Sequence, residues 1–296
     1  MTAVWWCLGL ATLLCALWGG YSVRKILYPE RRSIPPPDPF PRHTRHLLTT
    51  PDGASFDVWR LQPSSPRARL LLYHGYYANP MQVIGIGEGL RAQGYEVLLF
   101  ELRGHGNRPG PFTFGVHETR DAEAILQWAR LGDAAADMPV GVLGLSMGGA
   151  LACQLALRSP LVRAVVLDSV YARFFPVLCR HLRARYHVPS CPWAWLAWWS
   201  LQLALRARLA PRDPLTLAPR LRQPLFLIHG GRDPHVNLSC AEALYQRWAG
   251  SKERWIEPDV EHVGMFPSRP EEYGRRVAAF LDRAFAMASP CAPPRS

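Results

Sequence analysis

From residue 3 to residue 23 the chain carries no charged side chain, opening AVWWCLGLATLLCALW and continuing through Gly19, Gly20, Tyr21, Ser22 and Val23. An uncharged run of that length predicts a helix able to cross a bilayer. Arg24, Lys25, Arg31 and Arg32 follow, then the proline-rich SIPPPDPFPR at 33–42, which favours an extended, semi-rigid spacer. From about residue 44 the pattern changes. Short apolar runs such as LLLY (70–73) and VLLF (97–100) have the character of buried parallel strands. Strands are predicted at 44–49, 55–61, 68–73, 95–101, 139–144, 161–167, 223–229 and 252–257. Helices are predicted near 80–93, 118–131, 147–158, 239–249 and 270–286. Two opening strands followed by strand–helix alternation predict a mostly parallel, eight-stranded sheet with helices on both faces. No internal repeat is present.

Residues 170–214 interrupt the alternation. They hold Tyr171, Phe174, Phe175, Tyr186, Trp193, Trp195, Trp198 and Trp199, together with Arg173, Arg180, Arg183, Arg185, Arg206 and Arg208. The stretch reads as a helical insertion between two strands. Its aromatics suit three uses: the insertion's own core, the wall of an apolar pocket, or a membrane interface where Trp and Arg are both favoured. The expected organisation is an N-terminal membrane anchor (1–23), a Pro-rich linker (24–43), an alternating strand–helix domain (44–288, with the helical insertion at 170–214) and a C-terminal tail (289–296).

Composition narrows the classes. Hydrophobic residues make up 49% of the chain and charged residues 19%, so a large core is available and disorder is not the default. The formal charge of +11 is mostly arginine spread along the chain. With no basic block, zinc-finger spacing or aromatic RNA-binding motif, nucleic acid is not the expected partner. A membrane surface is, through the N-terminal helix. A cleaved signal peptide is the alternative reading of that helix. It is disfavoured because no Lys or Arg precedes the apolar run and no small-x-small site ends it. The positive charges behind the span would hold the following domain on the cytoplasmic side. Seven cysteines, none in a CxxC pair, suggest neither a zinc site, a redox pair nor a disulfide framework, although Cys179 and Cys191 could pair within the insertion.

The chemistry is carried by Gly144-Leu145-Ser146-Met147-Gly148, a G-x-S-x-G match. PVGVL (139–143) before it is strand-like and MGGALACQLALR (147–158) after it is helix-like. A serine on such a sharp turn stands clear of the sheet, and the flanking glycines let neighbouring backbone approach. A serine hydroxyl needs a base, and the base an orienting acid. His262, in DVEHVGMF, lies after the last predicted strand and before the final helix, where a base would hang. His181 and His187 fall in the insertion, His229 ends a strand, and His235 comes too early. Asp233, in PLFLIHGGRDPHV, follows the strand 223–229 and can reach His262; its local alternative is an Asx turn before Pro234. Asp168, ending VRAVVLD, is the rival acid. Oxyanion donors are expected from the backbone N–H of Met147 and from the loop His74-Gly75-Tyr76-Tyr77-Ala78-Asn79, with Tyr76 assigned within 75–77. No metal or cofactor is required by this chemistry.

HGYYAN (74–79), FELRGHGNR (100–108), GLSMGG (144–149), LIHGGRDPHV (228–237) and VEHVGMF (260–266) together resemble the α/β-hydrolase superfamily, in its esterase, lipase and monoglyceride-lipase-like branch. The resemblance covers about residues 44–287. Glu101 departs from it, since that position is more often Asp, and His105 reads as a turn residue. The resemblance implies an α/β-hydrolase fold with a helical cap, and a serine hydrolase cleaving a carboxylic ester or thioester as its small-molecule substrate; the anchor and the aromatic insertion point further to an apolar or lipid-derived acyl group. A peptidase or acyltransferase would use the same three residues. A non-catalytic, membrane-tethered binding protein on a hydrolase fold is the alternative from another class.

Overall fold

The computed structural model describes residues 2–32, 34–50, 52–131 and 137–288; the expected tail at 289–296 lies outside them. Eight strands form one sheet: β1 (Thr44–Thr49), β2 (Ser55–Leu61), β3 (Ala68–Tyr73), β4 (Tyr95–Phe100), β5 (Val140–Leu145), β6 (Val162–Asp168), β7 (Leu225–Gly230) and β8 (Lys252–Glu257). Their order is β1-β2-β4-β3-β5-β6-β7-β8. β2 runs antiparallel to both neighbours and every later pairing is parallel. The helices are α1 (Thr2–Leu27), α2 (Ile84–Ala92), α3 (Glu118–Arg130), α4 (Met147–Arg158), α5 (Phe174–Tyr186), α6 (Trp193–Leu205), α7 (Pro214–Leu217), α8 (Leu238–Arg247), α9 (Met265–Ser268) and α10 (Pro270–Ala288). This is the α/β-hydrolase fold with a helical insertion after β6.

The sheet separates two apolar layers, which is why its central strands read as continuous hydrophobic runs. Leu71 and Tyr73 of β3 pack on one side with α3, α4 and the insertion. Leu70 and Leu72 pack on the other with α2 and α10. Predicted strand boundaries fall within two residues of those observed. The helix expected at 80–93 is a 3-10 turn (Pro80–Gln82) followed by α2.

The N-terminal helix differs most from expectation. It runs four residues past Val23, to Leu27. Charge ends an apolar run but not a helix; Pro29 ends this one, because the residue before proline is forced out of the α region. Its last turns pack on the domain, with Ile26 and Leu27 buried in the core on the cap side. Nor does the start of the expected linker stand away. Arg32 N donates to Tyr77 O at 3.3 Å, and Asn79 Nδ2 donates to Ile34 O at 3.0 Å.

In the insertion, α5 and α6 share aromatic contacts. Phe175 lies 4.4 Å from Trp195 and 5.4 Å from Trp198, ring centre to ring centre. Part of the aromatic density is therefore the insertion's own core. Cys179 and Cys191 are both free thiols.

Candidate active site

Ser146 sits between the end of β5 and the start of α4 with φ +50° and ψ −117°. An L-residue holds such a backbone only where its surroundings enforce it. Here Ser146 N donates to Asp168 O at 2.8 Å, and α4 is pressed against the loop after β3. A Cβ on Gly148 would lie 2.5 Å from His74 O, so only glycine permits that approach.

Ser146 Oγ is 3.0 Å from His262 Nε2, and His262 Nδ1 is 2.6 Å from Asp233 Oδ2. The three side chains form one hydrogen-bonded chain from three separate loops. The other oxygen of Asp233, Oδ1, accepts from the backbone N–H groups of His235 at 2.8 Å and Val236 at 2.7 Å. Burial alone would raise the Asp233 carboxyl pKa. The hydrogen bond and charge of His262 and the two backbone donors outweigh that and hold it below its ordinary value. The Asx geometry and the contact with His262 thus coexist in one carboxylate. Beneath it, His229 donates from Nε2 to Val236 O at 3.0 Å, and burial lowers its pKa, so it is a neutral brace for the Asp233 loop.

Asp168 does not join this chain. Fully buried, it accepts from Ser169 Oγ at 2.9 Å, and burial pushes its carboxyl pKa up to about 6. Ser169 Oγ in turn accepts from Val263 N at 3.0 Å, beside His262. Asp168 and Ser169 therefore buttress the histidine loop from below.

Within the loop after β3, Gly75 N donates to Gln82 Oε1 at 2.7 Å, which removes it from the window of possible oxyanion donors. His74 is buried and neutral, its pKa lowered to about 3 chiefly by burial. Its Nδ1 donates to Gly75 O, and its Nε2 accepts from Leu102 N. Tyr77 has φ +65°, so the chain bends sharply just past Tyr76. Tyr76 lines the same cavity as Ser146 and Met147. Its hydroxyl donates to Ile26 O at 2.7 Å. His105 is also buried, with Nδ1 donating to Arg103 O at 2.9 Å, which fits its reading as a turn residue.

The cavity above Ser146 holds about 110 Å³ and is overwhelmingly apolar. Phe174, Val177 and Leu178 of α5 wall it, with Phe114, Tyr171 and, from α1, Ile26. Its polar lining includes His181 and His235. Sequence reasoning set both histidines aside as bases and did not place them in the pocket. His235 could have been found from its adjacency to Asp233, whereas nothing in the sequence marks His181. Among the described residues, no cluster of three or more His, Cys, Asp or Glu side chains is arranged to hold a metal ion.

A family model described as alpha/beta hydrolase fold matches residues 68–188. The chain is 25% identical over 248 residues to the uncharacterized protein YqkD of Bacillus subtilis (strain 168), covering 82% of this chain and 81% of that one. It is 26% identical over 244 residues to the uncharacterized protein Rv2307c of Mycobacterium tuberculosis (strain H37Rv), covering 81% and 79%. Among solved structures it resembles the Pyrococcus furiosus esterase Pf2001, with 26% identity, a TM-score of 0.68, and coverage of 88% of this chain and 97% of that one. The esterase EaEST of Exiguobacterium antarcticum, at 18% identity and a TM-score of 0.61, covers 81% of this chain and 100% of its own. That second likeness is one of fold.

Proposed function

We propose that the protein is a membrane-anchored serine hydrolase that cleaves carboxylic esters with an apolar acyl group through an acyl-enzyme on Ser146. The fold and the esterase relatives support a hydrolytic, ester-cleaving enzyme. The observation that carries the finer reading is the Ser146–His262–Asp233 hydrogen-bonded chain, whose Ser146 end lines an apolar cavity. In this reading Ser146 Oγ attacks the acyl carbon while His262 Nε2 takes its proton. Asp233 keeps His262 Nδ1 protonated and stabilises the imidazolium. The N–H groups of Met147 and Tyr76 face the developing oxyanion, each worth a few kcal/mol. The alkoxide leaves with the proton from His262, and water, deprotonated by the same ring, releases the acid.

The apolar lining favours an acyl chain over a peptide, and an intact hydrogen-bonded chain favours catalysis over a purely binding role. The span is α1: residues Val4–Leu27 are long and apolar enough to cross a bilayer. Labelling with a fluorophosphonate probe tests the catalytic reading. Wild type is expected to label and Ser146→Ala not to. A folded wild type that stays unlabelled would overturn it.

A further inference from the structure

α6 has no polar face. Ala194, Ala197, Trp198 and Leu201, spaced i, i+3, i+4, i+7, are buried in the cap. Trp195, Trp199 and Leu203, spaced i, i+4, i+8, project outward at 47%, 64% and 80% exposure. No charged side chain occurs in the thirteen residues. A helix lying between a protein core and water carries a polar outer face; one apolar all round is surrounded by apolar material.

α1 lies directly against α6. Trp18 Nε1 donates to Trp193 O at 3.1 Å, and the two rings are 5.4 Å apart. Gly19 approaches Ser200 so closely that a Cβ would collide with its hydroxyl. The candidate span, Val4–Leu27, includes Trp18 to Tyr21, the turn that meets α6. An α1 that crosses the bilayer along this stretch therefore brings α6 to the membrane boundary. Charge agrees: the insertion, 170–214, holds seven arginines against one acid, Asp213, which suits an anionic lipid surface.

We infer that the outer face of α6, through Trp195, Trp199 and Leu203, is a membrane-docking face that sinks the cap into the interface of an anionic bilayer beside α1. The inference rests on the reading of α1 as a span. It brings near the lipid α5, which packs on α6 through Phe175 and walls the cavity over Ser146 together with Ile26 of α1.

The test uses the full chain in vesicles of phosphatidylcholine and phosphatidylglycerol, with the photo-crosslinker p-benzoylphenylalanine placed at Leu10, Trp199 or Met287. Leu10 reports the span. Met287 is the water-exposed control: it lies at the end of α10 beyond Asp282, which meets Tyr95 at the start of β4, the end of the sheet opposite Ser146. Lipid adducts at Trp199 are expected to approach those at Leu10 and to exceed those at Met287 by about tenfold or more. Adducts at Leu10 with none at Trp199 above the Met287 level would overturn the docking face while leaving the span intact. Adducts at Trp199 without any at Leu10 would uphold the face and remove the span. Background at both positions would end both readings.

Discussion

The Tyr76 hydroxyl donates to the main-chain carbonyl of Ile26 at 2.7 Å, tying the loop proposed to bind the oxyanion to the last turn of the N-terminal helix. One residue on, Leu27 O accepts from Phe112 N, also at 2.7 Å. The end of the helix is therefore part of the pocket wall. Deleting residues 1–27 leaves the Tyr76 hydroxyl and the Phe112 N–H without these acceptors and opens the cavity wall. Deleting residues 2–16 does neither. In detergent, hydrolysis of a short soluble ester is expected to fall about tenfold or more in the first and to stay within about twofold in the second. Tyr76→Phe isolates the hydrogen bond and should lower stability by about 1 kcal/mol in a urea melt. Equal activity in the two truncations would show that the helix end is dispensable.

Two buried carboxylates compete for the role of acid, and their environments push them in opposite directions. Asp233→Asn should reduce kcat by about 10³–10⁴-fold, because Asn can force the wrong tautomer on His262. Asp168→Asn should keep kcat within about tenfold, since Asp168 acts through Ser169 and Val263. The pH dependence separates them again. A folded pKa of about 6 for Asp168 means the native state keeps a proton that the unfolded chain has already lost. Its favourable contribution is full below about pH 4 and is lost as pH rises through 6, on the order of 1–3 kcal/mol. For Asp233, held below its ordinary value, the contribution is present above about pH 4 and is lost as pH falls through the folded pKa. Asp168→Asn should therefore remove stability that wild type gains between pH 7 and pH 4.5. An unchanged pH slope in that variant would refute the assignment.

Gly148→Ala tests the turn that carries Ser146. The added Cβ would meet His74 O at 2.5 Å and Tyr73 O at 2.7 Å, both of them backbone atoms that cannot rotate away. Separating α4 from that loop shifts Ser146 and Tyr76 relative to each other. An expected loss of about 1–3 kcal/mol in stability should accompany a fall of about 100-fold or more in kcat. A variant with wild-type kcat would mean that the loop is not held by this contact.

The sheet and the Ser146–His262–Asp233 geometry were legible because local signals coincide with them. Apolar runs set the strands, and G-x-S-x-G falls where a strand pattern turns into a helix pattern. Asp233 and His262 each follow a predicted strand. The cavity was less legible because its walls are joined by packing between distant segments: Ile26, Tyr76 and Val177 share no local pattern. The docking of α1 had a faint trace in Gly19, since small residues in an apolar helix mark where another helix approaches. Hydropathy averages over that signal and sees only a span.

The cavity wall sets the last expectation. Val177 projects from α5 into the space over Ser146, with Leu178 and Phe174 beside it. Replacing its three-carbon side chain with indole adds volume comparable to several methylene groups and would fill much of an opening of about 110 Å³. Val177→Trp should leave acetyl-ester hydrolysis near wild type, because the Ser146–His262 contact is untouched, and should reduce hydrolysis of octanoyl esters. Each methylene that can no longer be buried costs about 0.8 kcal/mol, so the ratio of kcat/KM for octanoyl over acetyl esters should drop by about 10–100-fold. A ratio unchanged by the tryptophan would mean that the acyl chain lies elsewhere, and the polar side near His181 and His235 would then be the place to look for it.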